Sequence, residues 1–272
     1  MKNNRHPGPI DFVQVAQRVL RENGFDPEFG SAVAAQVAST QQPAKADGLR
    51  DLRDLLWSSI DNTESRDLDQ IEVAEATPNG AIRILVAIAD VDALIGKNSP
   101  ADQHAGENST SVYTGVQVFP MLPEEFSTNL TSLNENADRA AVVIENVVEQ
   151  NGDVSKFDVY RAVVRNKAQL AYDDTGHWLE NTSGGTIQPP EKVARTAGLA
   201  AQLRLQWEAA QRLKTERERN GALDLETIEA TPVAKDGRVV DLTLTHKSAA
   251  RDLIEDLMIA SNVAIAKWLE AR

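Results

Sequence analysis

The run Ile84-Leu85-Val86-Ala87-Ile88-Ala89 carries no polar side chain on either face. A strand of that kind has to be covered on both sides, so it belongs in the middle of a sheet. It follows a second strand-like run, Ile71–Ala76, across Pro78-Asn79-Gly80, and Asn-Gly between apolar runs is a hairpin signal. Two further hairpins read from 141 to 164, turning at Asn151-Gly152-Asp153, and from 222 to 244, turning at Lys235-Asp236-Gly237.

Helical spacing fills the intervals. Residues 10 to 39 read as two helices: Phe12, Val13, Val15, Val19 and Leu20 share a face, Asn23-Gly24 stops the first, and Asp26-Pro27 opens the second. Residues 167–180 and 190–219 read as one helix each, the latter with Val193, Ala197, Ala200, Leu203, Trp207 and Leu213 near the helical period. The chain ends in an amphipathic helix over 249–270, with Ser248 as cap and Leu253, Leu257, Ala260, Ala264 and Trp268 on one face. Hairpins mixed with helices, without strict alternation, predict an α+β fold: a mixed or antiparallel sheet core with hairpins, flanked by helices and preceded by a small helical segment. The polar, breaker-rich stretch Gln41–Gly48 reads as a linker, which divides the chain into a helical segment, 1–48, and a main domain, 49–272.

Charge narrows the function classes. Against 28 Lys and Arg stand 41 Asp and Glu, a formal net charge of −13, so the chain does not coat nucleic acid by bulk charge. There is no cysteine, which excludes thiolate metal sites and a cysteine nucleophile, and the four histidines form no pair spaced for zinc. The first residues lack an apolar signal core and no apolar run is long enough to span a bilayer, so a cytoplasmic location without membrane partners is expected.

The chemistry points to Ile60-Asp61-Asn62-Thr63-Glu64-Ser65-Arg66-Asp67-Leu68-Asp69-Gln70. Hard divalent cations want clustered carboxylate oxygens. Asp67 and Asp69 are two apart and share one side of an extended chain, and Asp61 can fold back toward the same cation. A solvated acidic loop is the plain alternative. A helix-loop-helix calcium site, with Asp61, Thr63, Ser65, Asp67, Asp69 and Glu72 at its ligand positions, puts Arg66 where the turn needs glycine.

Asp61-x5-Asp67-Leu68-Asp69 resembles the catalytic loop of the ribonuclease II family, the RNB domain. Further segments follow in the family's order: Leu85–Val91, Thr110–Tyr113 with Phe119–Ser127, Lys167–Asp173, and Leu253–Asn262. The resemblance runs from about residue 50 to the C-terminus. It implies a Mg²⁺-dependent exoribonuclease that hydrolyses single-stranded RNA from the 3′ end and releases nucleoside 5′-monophosphates. Carried over by position, Asp61, Asp67 and Asp69 are the metal-binding and catalytic aspartates, Tyr113 and Tyr172 contact nucleotides, and Glu255 lies near the terminal nucleotide. Aromatic faces stack on any base, which suits a grip on single strands without sequence preference.

The sequence departs from the family pattern in three ways. Gln70 stands where the family has a fourth acidic residue; its carbonyl can coordinate the metal but brings no charge. Leu225 falls where some members stack a phenylalanine on the 3′ end. The family's later Ser-Pro-Ile-Arg-Arg-type segment has no counterpart before Arg272, so the chain is expected to be C-terminally incomplete as a catalytic unit and weaker than a full-length member. The competing readings are a non-catalytic RNA-binding or interaction protein on an incomplete RNB domain, and a structural cation-binding protein. Arg204, Arg212, Lys214, Arg217 and Arg219 give the long helix a basic end, whose plainest role is a solvated face paired with Glu208, Glu216 and Glu218.

Overall fold

The computed structural model describes residues 11–181, 187–223, 229–235, 238–245 and 247–272. In chain order the elements are α1 (Phe12–Glu22), α2 (Ser31–Ser39), β1 (Arg50–Asp51), β2 (Ser58–Asp61), β3 (Gln70–Ala76), β4 (Ile82–Ala89), α3 (Pro100–Asn108), β5 (Val112–Tyr113) and β6 (Val118–Phe119). They continue with β7 (Asp138–Val148), β8 (Val154–Arg165), β9 (Ala168–Ala171), α4 (Tyr172–Glu180), α5 (Glu191–Arg195), α6 (Leu199–Arg219), β10 (Glu229–Lys235), β11 (Arg238–Thr245) and α7 (Ala249–Glu270). The chain divides into two compact units.

The larger unit, Gln42–Leu94, Glu125–Glu226 and Lys247–Arg272, holds a seven-stranded sheet in the order β1-β8-β7-β4-β3-β2-β9. The apolar run therefore lies in the central strand. Pairing is antiparallel from β8 to β2, while the short outer strands β1 and β9 join in parallel. Side chains of β4 alternate between two cores. Ile82, Ile84 and Val86 pack beneath α4, α6 and α7 with Leu203, Ala210, Leu253 and Leu257. Leu85 and Ala87 face the other way, with Trp57, Leu68, Ile71, Val143 and Val164. Two-sided burial is the reason for the unbroken apolar run. The fold is the α+β arrangement expected, and the first two hairpins fall where the Asn-Gly turns placed them.

Several boundaries moved. The helix expected over 167–180 begins only at Tyr172, because Ala168 and Leu170 alternate into the core and pair with β2. The helix expected over 190–219 is two helices, α5 and α6, parted at Gly198, whose φ of 83° suits glycine. Asp26-Pro27 opens no helix: α2 starts at Ser31, and the Asp26 carboxylate instead accepts from the Glu28 amide. In α1 only Leu20 is buried, while Phe12 and Val19 stay exposed. The third hairpin is present as β10–β11; its turn residues Asp236 and Gly237 lie outside the described residues, as does Leu225.

The smaller unit gathers Met1–Gln41, Ile95–Glu124 and Thr227–His246. Within it Gln36 of α2 bonds Ser99 and the Ala101 amide at the start of α3, and Asn108 exchanges two bonds with the Asp26 backbone. Helix α3 was not read from the sequence, although its Ser99 cap and Pro100 are standard opening signals. No described helix is long and apolar enough to cross a membrane.

Gly152, in the β7–β8 turn, has φ 91°, and a Cβ there would sit 2.2 Å from the Arg212 carbonyl oxygen of α6. Gly152→Ala is expected to lower stability by about 1–3 kcal/mol, measured by chemical denaturation.

Candidate active site

β2 and β9 run in parallel with Asp61 opposite Ala171, so their ends bring Asp61 beside Tyr172, the first residue of α4. After Asp61 the chain turns, with the Ser65 amide on the Asn62 carbonyl, and returns extended through Asp67, Leu68 and Asp69 into β3. Leu68 anchors this return: its side chain is 1% exposed, its amide donates to Ser132 Oγ at 3.0 Å, and its carbonyl accepts from Leu133 at 2.8 Å. With Leu68 inward, Asp67 and Asp69 are held on the exposed side, as the two-residue offset requires. The loop joins two antiparallel strands, and Arg66 occupies the would-be glycine, so a helix-loop-helix calcium site is excluded.

Asp69 holds its proton more tightly than an ordinary aspartate. Crowding by the surrounding protein is the main cause, and the charges of Asp61 and Asp67 add to it. Among the described residues, none of the three is ion-paired. Their oxygen donors and mutual repulsion suit a hard divalent cation, although no three His, Cys, Asp or Glu side chains among the described residues converge on one point.

Gln70 turns away from this surface. It opens β3, is 8% exposed, and shares its face with Glu72 and Ala74, toward the helices. Glu72 escaped notice as a buried acid. It is fully buried, neither of its carboxylate oxygens has a hydrogen-bond partner among the described residues, and Gln206 of α6 donates to its backbone carbonyl. Burial pushes its carboxyl well up, and the nearby charges of Asp69 and Asp61 push it further.

Tyr172 is half-buried against the helix-side core. Burial and then the charge of Asp61 push its hydroxyl up to about 12. The Arg251 guanidinium lies 4.4 Å from the centre of its ring and donates to Asn62 Oδ1 at 3.1 Å. Arg251 is placed by the start of α7, where Ser248 accepts from its amide and the Ala249 amide donates to Glu180 of α4. Sequence reasoning missed Arg251. The one available signal was an arginine in the first turn of a helix, where acids are favoured.

Glu255 follows Arg251 by four residues on α7 and is exposed, beside a small pocket lined by Lys214, Arg217 and Asp252. Tyr113 belongs to the smaller unit, on β5, and is 69% exposed. The structure therefore places Asp61 beside Tyr172 and Arg251, with Asp67 and Asp69 on the returning arm of the same loop, and among the described residues the three aspartates do not converge on one point. The basic end of α6 is ion-paired only partly as expected. Arg212 and Arg219 pair with Glu208 and Glu216, but Lys214 and Arg217 reach Asp252 and Asp256 on α7.

Asp256 is buried, and burial outweighs the attraction of Arg217 and Lys214, so its carboxyl is pushed up from 3.8 to about 6. The folded state then binds the proton more tightly than the unfolded chain. Stability is favoured below pH 4 and falls as pH rises toward about 6, by roughly 2–3 kcal/mol. Thermal unfolding between pH 4 and 7 is expected to show this fall, and Asp256→Asn to flatten it.

The RNB domain family model matches residues 49–272. Ribonuclease R of Thermotoga maritima is 31% identical over 256 residues, covering 93% of this chain and 35% of that protein. Ribonuclease R of Escherichia coli is 33% identical over 256 residues, covering 92% and 30% respectively. The chain thus spans about a third of the length of the curated relatives it matches. Among solved structures, Mycoplasma genitalium RNase R in complex with ribose-methylated single-stranded RNA superposes with a TM-score of 0.85 at 26% identity, covering 96% of this chain and 40% of that one.

Proposed function

Because the chain belongs to the RNB domain family, we propose that it acts as a Mg²⁺-dependent 3′-to-5′ exoribonuclease on single-stranded RNA, releasing nucleoside 5′-monophosphates. The observation that carries this reading is a loop of three aspartates without ion-pair partners among the described residues, one of which, Asp61, ends a strand beside Tyr172. Asp61, Asp67 and Asp69 would hold the cation, and Gln70 would contribute at most a neutral oxygen after reorienting. Bound there, a divalent cation makes a water a better nucleophile and offsets charge on the scissile phosphate.

The remaining roles fall to this chain's own side chains. The Tyr172 ring offers a face to a base, and Tyr113 offers a second, exposed one. The Glu255 carboxylate can accept from a ribose hydroxyl of the terminal nucleotide, the group that separates RNA from DNA. Leu68 keeps Asp67 and Asp69 on the substrate side.

The test is a 5′-labelled single-stranded RNA incubated with the chain and Mg²⁺, with chelator, and with Asp69→Asn. A ladder shortening from the 3′ end, absent in the two controls, is the expected result. RNA binding without any shortening would assign the chain to the alternative, a non-catalytic RNA-binding protein. The uncharged Gln70 and the unconverged carboxylates favour that second reading.

A further inference from the structure

Arg251 reaches the aspartate loop from α7. Among the described residues it has no carboxylate partner, although 41 acids are present in a chain of net charge −13. Its guanidinium is held instead by two neutral groups, the Tyr172 ring face at 4.4 Å and Asn62 Oδ1 at 3.1 Å. Asn62 directly follows Asp61, and Tyr172 lies within the electrostatic reach of Asp61 and Asp69. The cation is thus fixed at the edge of the acidic site by contacts that leave its charge and most of its five N–H donors unspent.

Its position on α7 argues the same way. Arg251 is in the first helical turn, where the partial positive charge of the free backbone N–H groups disfavours a cation. The helix start is already met by Ser248 Oγ and the Glu180 carboxylate, with Asp252 in the same turn, and the guanidinium is the positive group turned to the aspartate loop. A guanidinium beside clustered carboxylates suits a phosphate that approaches together with a cation held by those carboxylates.

We infer that Arg251 is a substrate-contacting residue that binds a backbone phosphate of single-stranded RNA beside the aspartate loop, held in place by Tyr172 and Asn62. The inference rests on the RNA reading above. A guanidinium stacked on a ring that itself stacks a base would tie the phosphate to the nucleotide next to it, so Arg251 sets the register of the strand relative to Asp61 and Asp69. An alternative role as a latch between α7 and the loop would need no RNA and no net charge.

The experiment measures binding of a fluorescent single-stranded RNA by anisotropy across a salt series, with the full chain carrying Asp69→Asn so that the probe survives. Adding Arg251→Gln is expected to weaken binding about ten-fold at low salt and to lower the slope of log K against log salt by about 0.7, one phosphate contact. Arg251→Lys is expected to keep the slope while recovering only part of the affinity, since an ammonium lacks the planar fork. Circular dichroism of each variant verifies that the fold is kept. An unchanged slope in Arg251→Gln, with or without weaker binding, overturns the phosphate contact alone. Failure of the Asp69→Asn chain to bind RNA at any salt overturns the RNA reading and this inference with it.

Discussion

Asp69→Asn is expected to reduce Mg²⁺-dependent shortening of single-stranded RNA by on the order of 10³ or more, because stabilisation by a bound cation is worth several kcal/mol in the transition state. The same substitution is expected to leave stability without metal unchanged or slightly higher. Asp69 is raised by crowding from the surrounding protein and by its two like-charged neighbours, so a neutral amide removes an unfavourable charge from the folded state. Its contribution has a definite sign: the folded protein binds this proton more tightly, so the aspartate costs stability as pH rises through and above its ordinary value, and the asparagine does not. Single-turnover cleavage and thermal unfolding on the same samples check both halves. Loss of activity accompanied by a large loss of stability would contradict the assignment of Asp69 to chemistry.

Leu68→Ala is expected to lower stability and activity together. Leu68 is 1% exposed and packs with Trp57 and Ile71; its amide donates to Ser132 Oγ and its carbonyl accepts from the Leu133 amide. Truncation leaves a cavity in a close-packed core at a cost of about 2–5 kcal/mol, measured by urea denaturation. The flanking aspartates are placed by this anchor, so activity is also expected to fall well below the melting temperature, with metal affinity falling in parallel. The two variants together separate the carboxylate that does chemistry from the apolar side chain that aims it.

Three readings of the sequence rest on local patterns. Asn79-Gly80 and Asn151-Gly152 fixed two hairpins because those turns need residues that tolerate positive φ, as Gly80 and Gly152 do. The all-apolar run of β4 fixed the centre of the sheet. The spacing Asp67-Leu68-Asp69 fixed which side chain turns inward and which two stay out. Boundaries read less well where a short segment could serve either period. Ala168-Gln169-Leu170-Ala171 is compatible with a helix by propensity, and only pairing with β2 makes it a strand. The break at Gly198 separates two helices that a continuous apolar periodicity had joined.

What the sequence alone determined is the α+β class, the central strand, the acidic loop and its likeness to one family, because each is written in neighbouring residues. Tertiary structure decided the rest, because the partners lie far apart in the chain. The parallel pairing of β2 with β9 sets Asp61 next to Tyr172 across 111 positions of sequence. Packing of α7 on α4 then adds Arg251, 189 residues beyond Asn62. Burial on the helix side makes Gln70 and Glu72 part of the interior. No local pattern encodes a cation whose partners are a ring and an amide on two other segments; it exists only once strands and helices have closed around the loop.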